Sequence, residues 1–420
     1  MNLREGNMAE HMKKGQNNDD MQESNRSLIL RIMARDPICT RTQIAEETGL
    51  QQATITKIMQ ELLSVGVVTE TGIVEGKKGR RSIGLKLNSE SIKVIGVKIS
   101  KDMIRVGLFD FCGKLYEKYT ESTLNYNSVN RIVRHIKRAV NQILANHSDV
   151  FAMGIAVPGP FYKAENRILL MADRPGWTEV DFEKEFIQAY DFPVVIEHDA
   201  NAGALAEWKY GTYDSEVGTL VHFIASEGVG AGIITNGEIL QNPNGISTEI
   251  GHMSIDFHGE RCSCGNYGCL RLYCTSWALV RYAEKELKAH PESCLNQCDE
   301  ITAGTIFEGM GKGDAFCIAC VERMGFFIGC GLANIVNIYS PNAIRISDIM
   351  VAGGNCMMRK IRETVRDRVL PFNYERLSIE YSQMKEDTIL SGAAAIAVDW
   401  LLNNFRCISE RFKQVYGKQD

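Results

Sequence analysis

Long apolar runs are scarce in this 420-residue sequence. Stretches such as Ser391–Leu402 are broken by a charged residue well before the roughly 18 to 20 apolar residues that crossing a bilayer requires. We therefore predict no membrane span. The opening segment, Met1–Ser24, likewise lacks the apolar core of a signal peptide. It is predicted to be a disordered leader, and the protein is expected to be cytoplasmic.

The composition is that of a folded, water-soluble protein with more than one domain. Hydrophobic residues make up 45% of the chain and charged residues 24%. A length of 420 residues exceeds what one core ordinarily holds, so we expect two or three domains. The thirteen cysteines, in a chain without an export signal, point to a reducing compartment. In such a compartment, clustered cysteines bind metal more often than they form disulfides.

Residues 25–88 have the pattern of a winged helix-turn-helix. Apolar residues recur at helical spacing through Arg26–Arg35, and an Asp-Pro pair then ends this helix. Thr40 can cap a second helix, and Gly49 supplies the tight turn before a third. Two β-rich segments joined by a basic loop follow, at residues 67–74 and 82–87.

A surplus of positive charge in the same segment predicts DNA binding. Residues 25–88 hold ten Lys or Arg against six Asp or Glu, although the whole chain carries a net charge of -5. A helix of this kind fits the major groove, and a basic wing neutralises phosphates or enters the minor groove. The alternative is a protein-docking module with a solvated basic loop. The combined pattern favours DNA, with contacts at Gln52, Ala53, Thr56, Lys57, Lys77, Lys78, Arg80 and Arg81.

Beyond residue 88, strands alternate with Gly-rich turns and helices, which is typical of an α/β architecture. The most specific motif there lies within residues 249–271. One imidazole and three thiolates suit a tetrahedral zinc ion, and four protein ligands leave no open position for catalysis. Cysteines elsewhere, such as Cys330, fit better as small buried side chains. We predict a structural zinc site formed by His252, Cys262, Cys264 and Cys269.

These features resemble those of the ROK family, named for repressors, open reading frames and sugar kinases. The family's motifs occur in order at Val157–Pro160, Glu197–Asn201, Gly228–Gly232 and Ala352–Gly354. The winged helix is similar to that of the xylose-repressor-like and N-acetylglucosamine-repressor-like branch. The resemblance implies a two-lobed, actin-like (ribonuclease H-type) domain over residues 89–420, with a sugar between the lobes. It also implies control of carbohydrate metabolism genes, including those for xylose.

By this resemblance, parts of a sugar kinase site remain. Asp199 matches the family's catalytic base, although it can equally cap a helix. The first phosphate loop departs from the family, because Asp-x-Gly-Gly-Thr is replaced by Lys98–Asp102. Its side chains crowd a backbone that must lie against phosphate, and a metal-associated carboxylate is lost. We predict an inactive kinase without ATP or Mg; the alternative is an active kinase with an accessory winged helix. The glycines matching other nucleotide loops are Gly228, Gly230, Gly232, Gly353 and Gly354.

The ligand site implied by the resemblance is altered. Added guanidinium groups suit a carboxylate or phosphate, so the effector could be an acidic sugar or a sugar phosphate. Alternatively, both arginines pair with neighbouring acids or point outward. Arg174 and Arg271 stand where the family has Asn and Glu, and His198 replaces another Asn. The predicted ligand contacts are Arg174, His198, Asp199, Glu249, His252 and Arg271.

Together these features predict a DNA-binding transcriptional regulator of carbohydrate genes, a repressor or an activator, that is controlled by a sugar or sugar derivative. Closure of the lobes would change the spacing of paired winged helices on double-stranded operator DNA. Two-fold operators favour a homodimer or a dimer of dimers. A protein-interaction adaptor without a DNA target is a third possibility, and it would lack the steep salt dependence of phosphate contacts.

Overall fold

The computed structural model describes residues 18–75, 81–171, 174–213, 217–242 and 244–417. The helices are α1 (Asn18–Arg35), α2 (Arg41–Thr48), α3 (Gln52–Val65), α4 (Val129–Asn146), α5 (Asp199–Tyr210), α6 (Arg271–Cys274), α7 (Ser276–Glu286), α8 (Ala303–Gly311), α9 (Ala315–Tyr339), α10 (Gly354–Arg366), α11 (Pro371–Glu375), α12 (Thr388–Asn403) and α13 (Phe405–Tyr416). The strands are β1 (Val68–Glu75), β2 (Arg81–Leu87), β3 (Lys93–Ile99), β4 (Met103–Asp110), β5 (Leu115–Ser122), β6 (Val150–Val157), β7 (Phe161–Tyr162), β8 (Arg167–Ile168), β9 (Val194–His198), β10 (Thr219–Ala225), β11 (Val229–Thr235), β12 (Glu238–Ile239), β13 (Ala343–Ser347) and β14 (Ser378–Tyr381).

The chain forms two compact units. The smaller contains residues 1–92 and 399–420, and the larger contains residues 93–398. In the smaller unit the predicted winged helix-turn-helix is confirmed, with helices α1 to α3 followed by the antiparallel hairpin β1–β2. Thr40 and Gln43 form a capping box at the start of α2. Gly49 ends that helix with a φ of 69°, a conformation that glycine adopts without strain.

The structure differs from the expected extent of residues 25–88 for the DNA-binding domain at its start and by an added C-terminal segment. Helix α1 begins at Asn18, so residues 18–24 of the predicted leader are helical, while residues 1–17 lie outside the described part of the chain. A tertiary contact supports the earlier start, because the carboxylate of Glu23 accepts the backbone N–H of Phe405. Glu23 also pairs with Arg26 one turn along the helix, at 3.3 Å. The C-terminal segment from Asp399 also belongs to this unit rather than to the larger domain.

The C-terminal helix α13 completes the core of the smaller unit. Phe405 and Phe412 are buried, and the ring of Phe412 lies so close to Gly66 that an added Cβ would be 3.0 Å from it. Ser27 donates a hydrogen bond of 2.9 Å to Asn403, which lies 376 positions away in the sequence. A contact of such sequence separation leaves no local pattern, which is why the boundary was missed.

Two sheets with the same strand arrangement form the lobes of the larger unit. Their orders are β5-β4-β3-β6-β9 and β12-β11-β10-β13-β14. In each sheet three antiparallel strands continue into two parallel ones. This repeated topology confirms the two-lobed, ribonuclease H-type prediction.

Helix α12 packs against the first sheet and against α5 at backbone contact distance. An added Cβ on Gly154 of β6 would lie 1.9 Å from the carbonyl oxygen of Ala393. On the helix itself, an added Cβ on Gly392 would lie 2.1 Å from the oxygen of Ala202 in α5. Glycine is therefore required on both sides of the helix, because any side chain would overlap backbone atoms. Residues 388–398 of α12 belong to the larger unit, and the remainder belongs to the smaller one.

Helix α9 is long and apolar enough to cross a membrane by length and composition. The charged residues within it are the adjacent pair Glu322 and Arg323, so its apolar character extends further than that of Ser391–Leu402. Residues such as Leu332 and Val336 are fully buried in the core of the second lobe. This burial identifies α9 as a core helix.

We expect Gly154→Ala to destabilise the larger unit by about 3 kcal/mol, because the new methyl group would force β6 and α12 apart. Urea unfolding should report this change. The matched control is Gly311→Ala, where an added Cβ meets nothing within 4 Å. That substitution should be neutral or should stabilise the protein by up to about 1 kcal/mol. Equal effects of the two substitutions would contradict the proposed close packing.

Candidate ligand cavity and metal centre

A cavity of about 480 Å³ lies between the two lobes of the larger unit. The loop after β3, the start of α5 and the turn between β10 and β11 all contribute to its wall. The structure therefore brings together residues that are far apart in the sequence. The predicted site residues that share this wall are Gly228, Gly230, His198, Asp199, Glu249, His252 and Arg271.

Two carboxylates face the cavity, one at the start of α5 and one in the segment between β12 and α6. Asp199 begins α5 directly after β9, and its Oδ1 lies 3.3 Å from Nε2 of His198. Burial raises the pKa of Asp199, although the charges of His198 and Lys98 oppose this shift. Glu249 accepts a hydrogen bond of 2.7 Å from the hydroxyl of Ser247. Both carboxylates can accept hydrogen bonds from ligand hydroxyl groups.

Gly159 explains why the Val157–Pro160 motif needs a glycine. An added Cβ on Gly159 would lie 2.6 Å from Nε2 of His198 and 2.9 Å from Oε1 of Glu249. A side chain at this position would therefore displace both groups. The glycine lets the backbone pass between two side chains of the cavity wall.

A buried ion-pair cluster forms another part of the wall. Nζ of Lys98 lies 2.9 Å from Oδ2 of Asp387, and Arg105 pairs with the same carboxylate. Asp387 also caps α12, since its Oδ1 accepts the backbone N–H groups of Ile389 and Leu390 at 3.0 Å. Burial alone would favour the neutral acid, but the charge of Lys98 and these hydrogen bonds lower the pKa of Asp387. Asp387 could not be predicted from the sequence, because its partner Lys98 on β3 lies 289 positions away.

The structure places four predicted contacts outside the cavity wall. Arg174 donates hydrogen bonds to the carbonyl oxygens of Thr123 and Tyr126, at 2.8 and 3.1 Å, so backbone acceptors satisfy its guanidinium group. Gly232 permits close packing instead, because an added Cβ would lie 2.1 Å from a backbone oxygen of α5. Gly353 and Gly354 lie at the start of α10 and do not line this cavity.

Helix α3 of the smaller unit presents the predicted DNA contacts to solvent. On one face of the helix Ile55, Ile58, Met59 and Leu62 are buried. Of the predicted wing contacts, Arg81 begins β2 and is exposed, while Lys77, Lys78 and Arg80 lie outside the described residues. The exposed side chains on the opposite face of α3 are Gln52, Ala53, Thr56 and Lys57.

The predicted metal ligands form a compact cluster. Nδ1 of His252 lies 3.7 Å from Sγ of Cys262, and the Sγ atoms of Cys264 and Cys269 are also 3.7 Å apart. A tetrahedral zinc ion with Zn–S bonds of about 2.3 Å would hold its sulfur ligands about 3.8 Å apart. Burial lowers the pKa of His252, which favours the neutral imidazole that metal binding requires. The donor set and its spacing therefore fit zinc.

A second group of thiols and a carboxylate has a different explanation. Cys294, Asp314 and Cys317 also bring three possible ligand atoms within 4.8 Å of one another. However, the carboxylate of Asp314 already accepts the backbone N–H groups of Cys317 and Cys294, at 2.9 and 2.7 Å. Asp314 thereby caps α9. The cluster around His252 is the better metal candidate, because all four of its donors are side chains without such a role.

Both units of the chain match models of known protein families. Residues 94–399 match the model described as ROK family. The chain belongs to the ROK family. Residues 23–69 also match a model described as winged helix-turn-helix DNA-binding. The family resemblance drawn from the sequence motifs is thus confirmed for both parts of the chain.

Among relatives, the chain is similar to the xylose repressor of Caldicellulosiruptor bescii, with 29% identity over 91% of this chain and 97% of the relative. A solved ROK family transcriptional regulator, described as a homologue of the Escherichia coli Mlc protein, shares the fold with a TM-score of 0.80. It is 24% identical, and the match covers 94% of this chain and all of that one. A Streptomyces griseus ROK glucokinase in complex with glucose and AMPPNP matches 73% of this chain and 99% of its own, with a TM-score of 0.65 and 26% identity.

We expect Asp387→Asn to lower the free energy of unfolding by about 3 kcal/mol at pH 7, because Lys98 would lose its buried partner. The depressed pKa of Asp387 means that its stabilising effect is complete above its unfolded-state pKa of about 3.9. The difference between wild type and variant should therefore stay constant from about pH 7 to pH 5 and shrink below about pH 4. Urea unfolding across this pH range would measure it.

The control is the neighbouring Glu386→Gln. Glu386 pairs with Lys118 at 3.3 Å, and both side chains are about 40% exposed. Its loss should cost less than about 1 kcal/mol. A similar loss of stability in both variants would contradict the role assigned to the buried cluster.

Proposed function

We propose that this protein is a DNA-binding transcriptional repressor of carbohydrate metabolism genes. Its larger unit would bind a sugar or sugar derivative in the cavity between the lobes. The observation that carries the proposal is the presence, in one chain, of a solvent-exposed recognition helix and a polar cavity at the family's sugar position. Similarity to a protein named xylose repressor supports the same function, with xylose metabolism as one candidate target. Such a protein would act in the cytoplasm, where its operator DNA is found.

In the proposed mechanism the ligand acts by preferring one arrangement of the two lobes. Asp199 and Glu249 come from different parts of the cavity wall, so a ligand that contacts both would stabilise a closed arrangement. Helix α12 packs within the larger unit and its last residues belong to the smaller unit. Movement of α12 would thereby alter the DNA contacts. A homodimer or dimer of dimers would present paired recognition helices to half-sites about one helical turn apart.

We further propose that the cavity has no kinase activity. Lys98 stands where family kinases have the aspartate of the first phosphate loop, and its ammonium group is held by Asp387. A positive charge at this place disfavours the metal ion that accompanies ATP. Purified protein incubated with ATP, Mg²⁺ and a panel of sugars should release no ADP above the sugar-free control. Sugar-dependent ADP release would contradict this proposal and would favour the alternative of an active sugar kinase.

The DNA-binding proposal predicts a specific loss in Lys57→Ala. Lys57 is exposed on α3, and removal of a side chain that contacts DNA should weaken binding by about 1 kcal/mol or more. Fluorescence anisotropy with a duplex selected by the protein from a random pool would measure this. Lys312→Ala, an exposed lysine of the larger unit, is the control and should bind as wild type does. Binding that is weak and insensitive to salt would instead indicate a protein-interaction adaptor.

We propose that the cluster of His252 with Cys262, Cys264 and Cys269 holds one structural zinc ion. The ion would fix the loop that carries Glu249 and Arg271 to the cavity. Cys264→Ser should reduce the zinc content from about one ion per chain to none, as measured by mass spectrometry of the metal. The exposed Cys112→Ser is the matched control. Full zinc content in Cys264→Ser would contradict this ligand assignment, and an unchanged ligand response would contradict the link to the cavity.

A further inference from the structure

Four Lys and Arg side chains line the cavity, and three of them are paired with carboxylates. Lys98 and Arg105 share Asp387. Lys101 lies 3.3 Å from a carboxylate oxygen of Glu227. Arg271 differs, because within the described part of the chain it forms no ion pair and no side-chain hydrogen bond, and its Nε is buried without a partner. Among the Lys and Arg side chains of the described cavity wall, Arg271 is therefore the one that no carboxylate of the protein pairs with.

We infer that the cavity selects an anionic sugar, one that carries a carboxylate or a phosphate group, and that Arg271 binds this group. An arginine presents a planar set of donors that matches two oxygens of a carboxylate or phosphate at once. The inference rests on the proposed function, since it assumes that the effector occupies this cavity. It goes further by naming the chemical class of the effector.

The backbone around Arg271 is well placed for this role. Arg271 begins α6 two residues after Cys269, so a zinc ion held by the neighbouring cluster would fix its backbone. A guanidinium group held by a rigid loop loses little conformational entropy when it binds an anion. Desolvation of an unpaired arginine is costly, and a ligand anion would offset that cost.

The remaining polar groups of the wall suit the rest of such a ligand. Asp199 and Glu249 would repel an anion placed next to them, but they accept hydrogen bonds from hydroxyl groups. A ligand bound with its acidic group at Arg271 and its hydroxyl groups at the two carboxylates would give the arginine an anion and each carboxylate a hydrogen-bond donor. Arg174, the other arginine considered for this role, is occupied by backbone carbonyl oxygens. Recognition of the acidic group thus depends on one arginine.

The test compares neutral and acidic members of matched pairs by calorimetry on the zinc-loaded full chain. The pairs are D-xylose with D-xylonate, D-glucose with D-gluconate and D-glucuronate, and D-glucose with its 1- and 6-phosphates. We expect at least one acidic compound to bind at least about 10-fold more tightly than its neutral partner. The carboxylate and phosphate arms identify which anion is preferred. Neutral sugars that bind as tightly as every acidic partner, or a panel without any acidic ligand, would overturn the inference.

Variants of the arginine separate a specific contact from general charge. Arg271→Gln should weaken binding of the acidic compound at least about 10-fold, and Arg271→Lys should retain part of it, because lysine keeps the charge but not the paired donors. Arg281→Gln is the control: it removes an equal charge from an exposed arginine that pairs with Glu260 outside the cavity wall. Zinc content of each variant reports whether the loop is intact. Unchanged acidic-ligand binding in a zinc-loaded Arg271→Gln variant would overturn the assignment.

The outcome for this inference is distinct from that for the proposed function. A neutral sugar that binds the cavity and changes DNA affinity would leave the repressor proposal standing while it overturns anion selection. An acidic sugar that binds through Arg271 without any change in DNA affinity would support anion selection and would contradict the repressor proposal. Both measurements use the same protein and the same selected duplex, so the two results can be compared directly.

Discussion

The packing of helix α12 at backbone contact distance is the constraint on which the larger unit depends. Gly154 and Gly392 allow the helix to approach β6 and α5 so closely that no side chain fits between them. Asp387 fixes the start of the helix, because it caps the first turn and binds Lys98 and Arg105 at the same time. Packing this close means that α12 could not shift without a rearrangement of β6 and α5.

This constraint reaches the cavity. Lys98 and Arg105, which both pair with Asp387, line its wall. The last residues of α12 are assigned to the smaller unit. Lys98 therefore has a structural role, because its buried ion pair with Asp387 stabilises the start of the helix. The residue on which the proposed absence of kinase activity rests is thus also part of the packing of the larger unit.

Local patterns in the sequence were sufficient for the local elements. Thr40, Gly49 and the apolar face of α3 predicted the helix-turn-helix, and the His252 cluster was recognisable from its spacing alone. Contacts between distant segments were not predictable, because they leave no periodic signal. Examples are the return of α13 to the winged helix and the pairing of Lys98 with Asp387. The roles of the two arginines were not predictable either. Only the structure shows that Arg174 binds backbone oxygens and that Arg271 lies in the cavity wall.

The most direct test of the account is reciprocal linkage between the cavity and DNA. The affinity for a selected duplex would be measured with and without a saturating concentration of each sugar that the cavity binds. The affinity for that sugar would then be measured with and without the duplex. We expect the two affinities to change by the same factor, about 5-fold or more. A sugar that occupies the cavity and leaves the affinity for DNA unchanged would contradict the central claim that ligand binding between the lobes controls DNA binding.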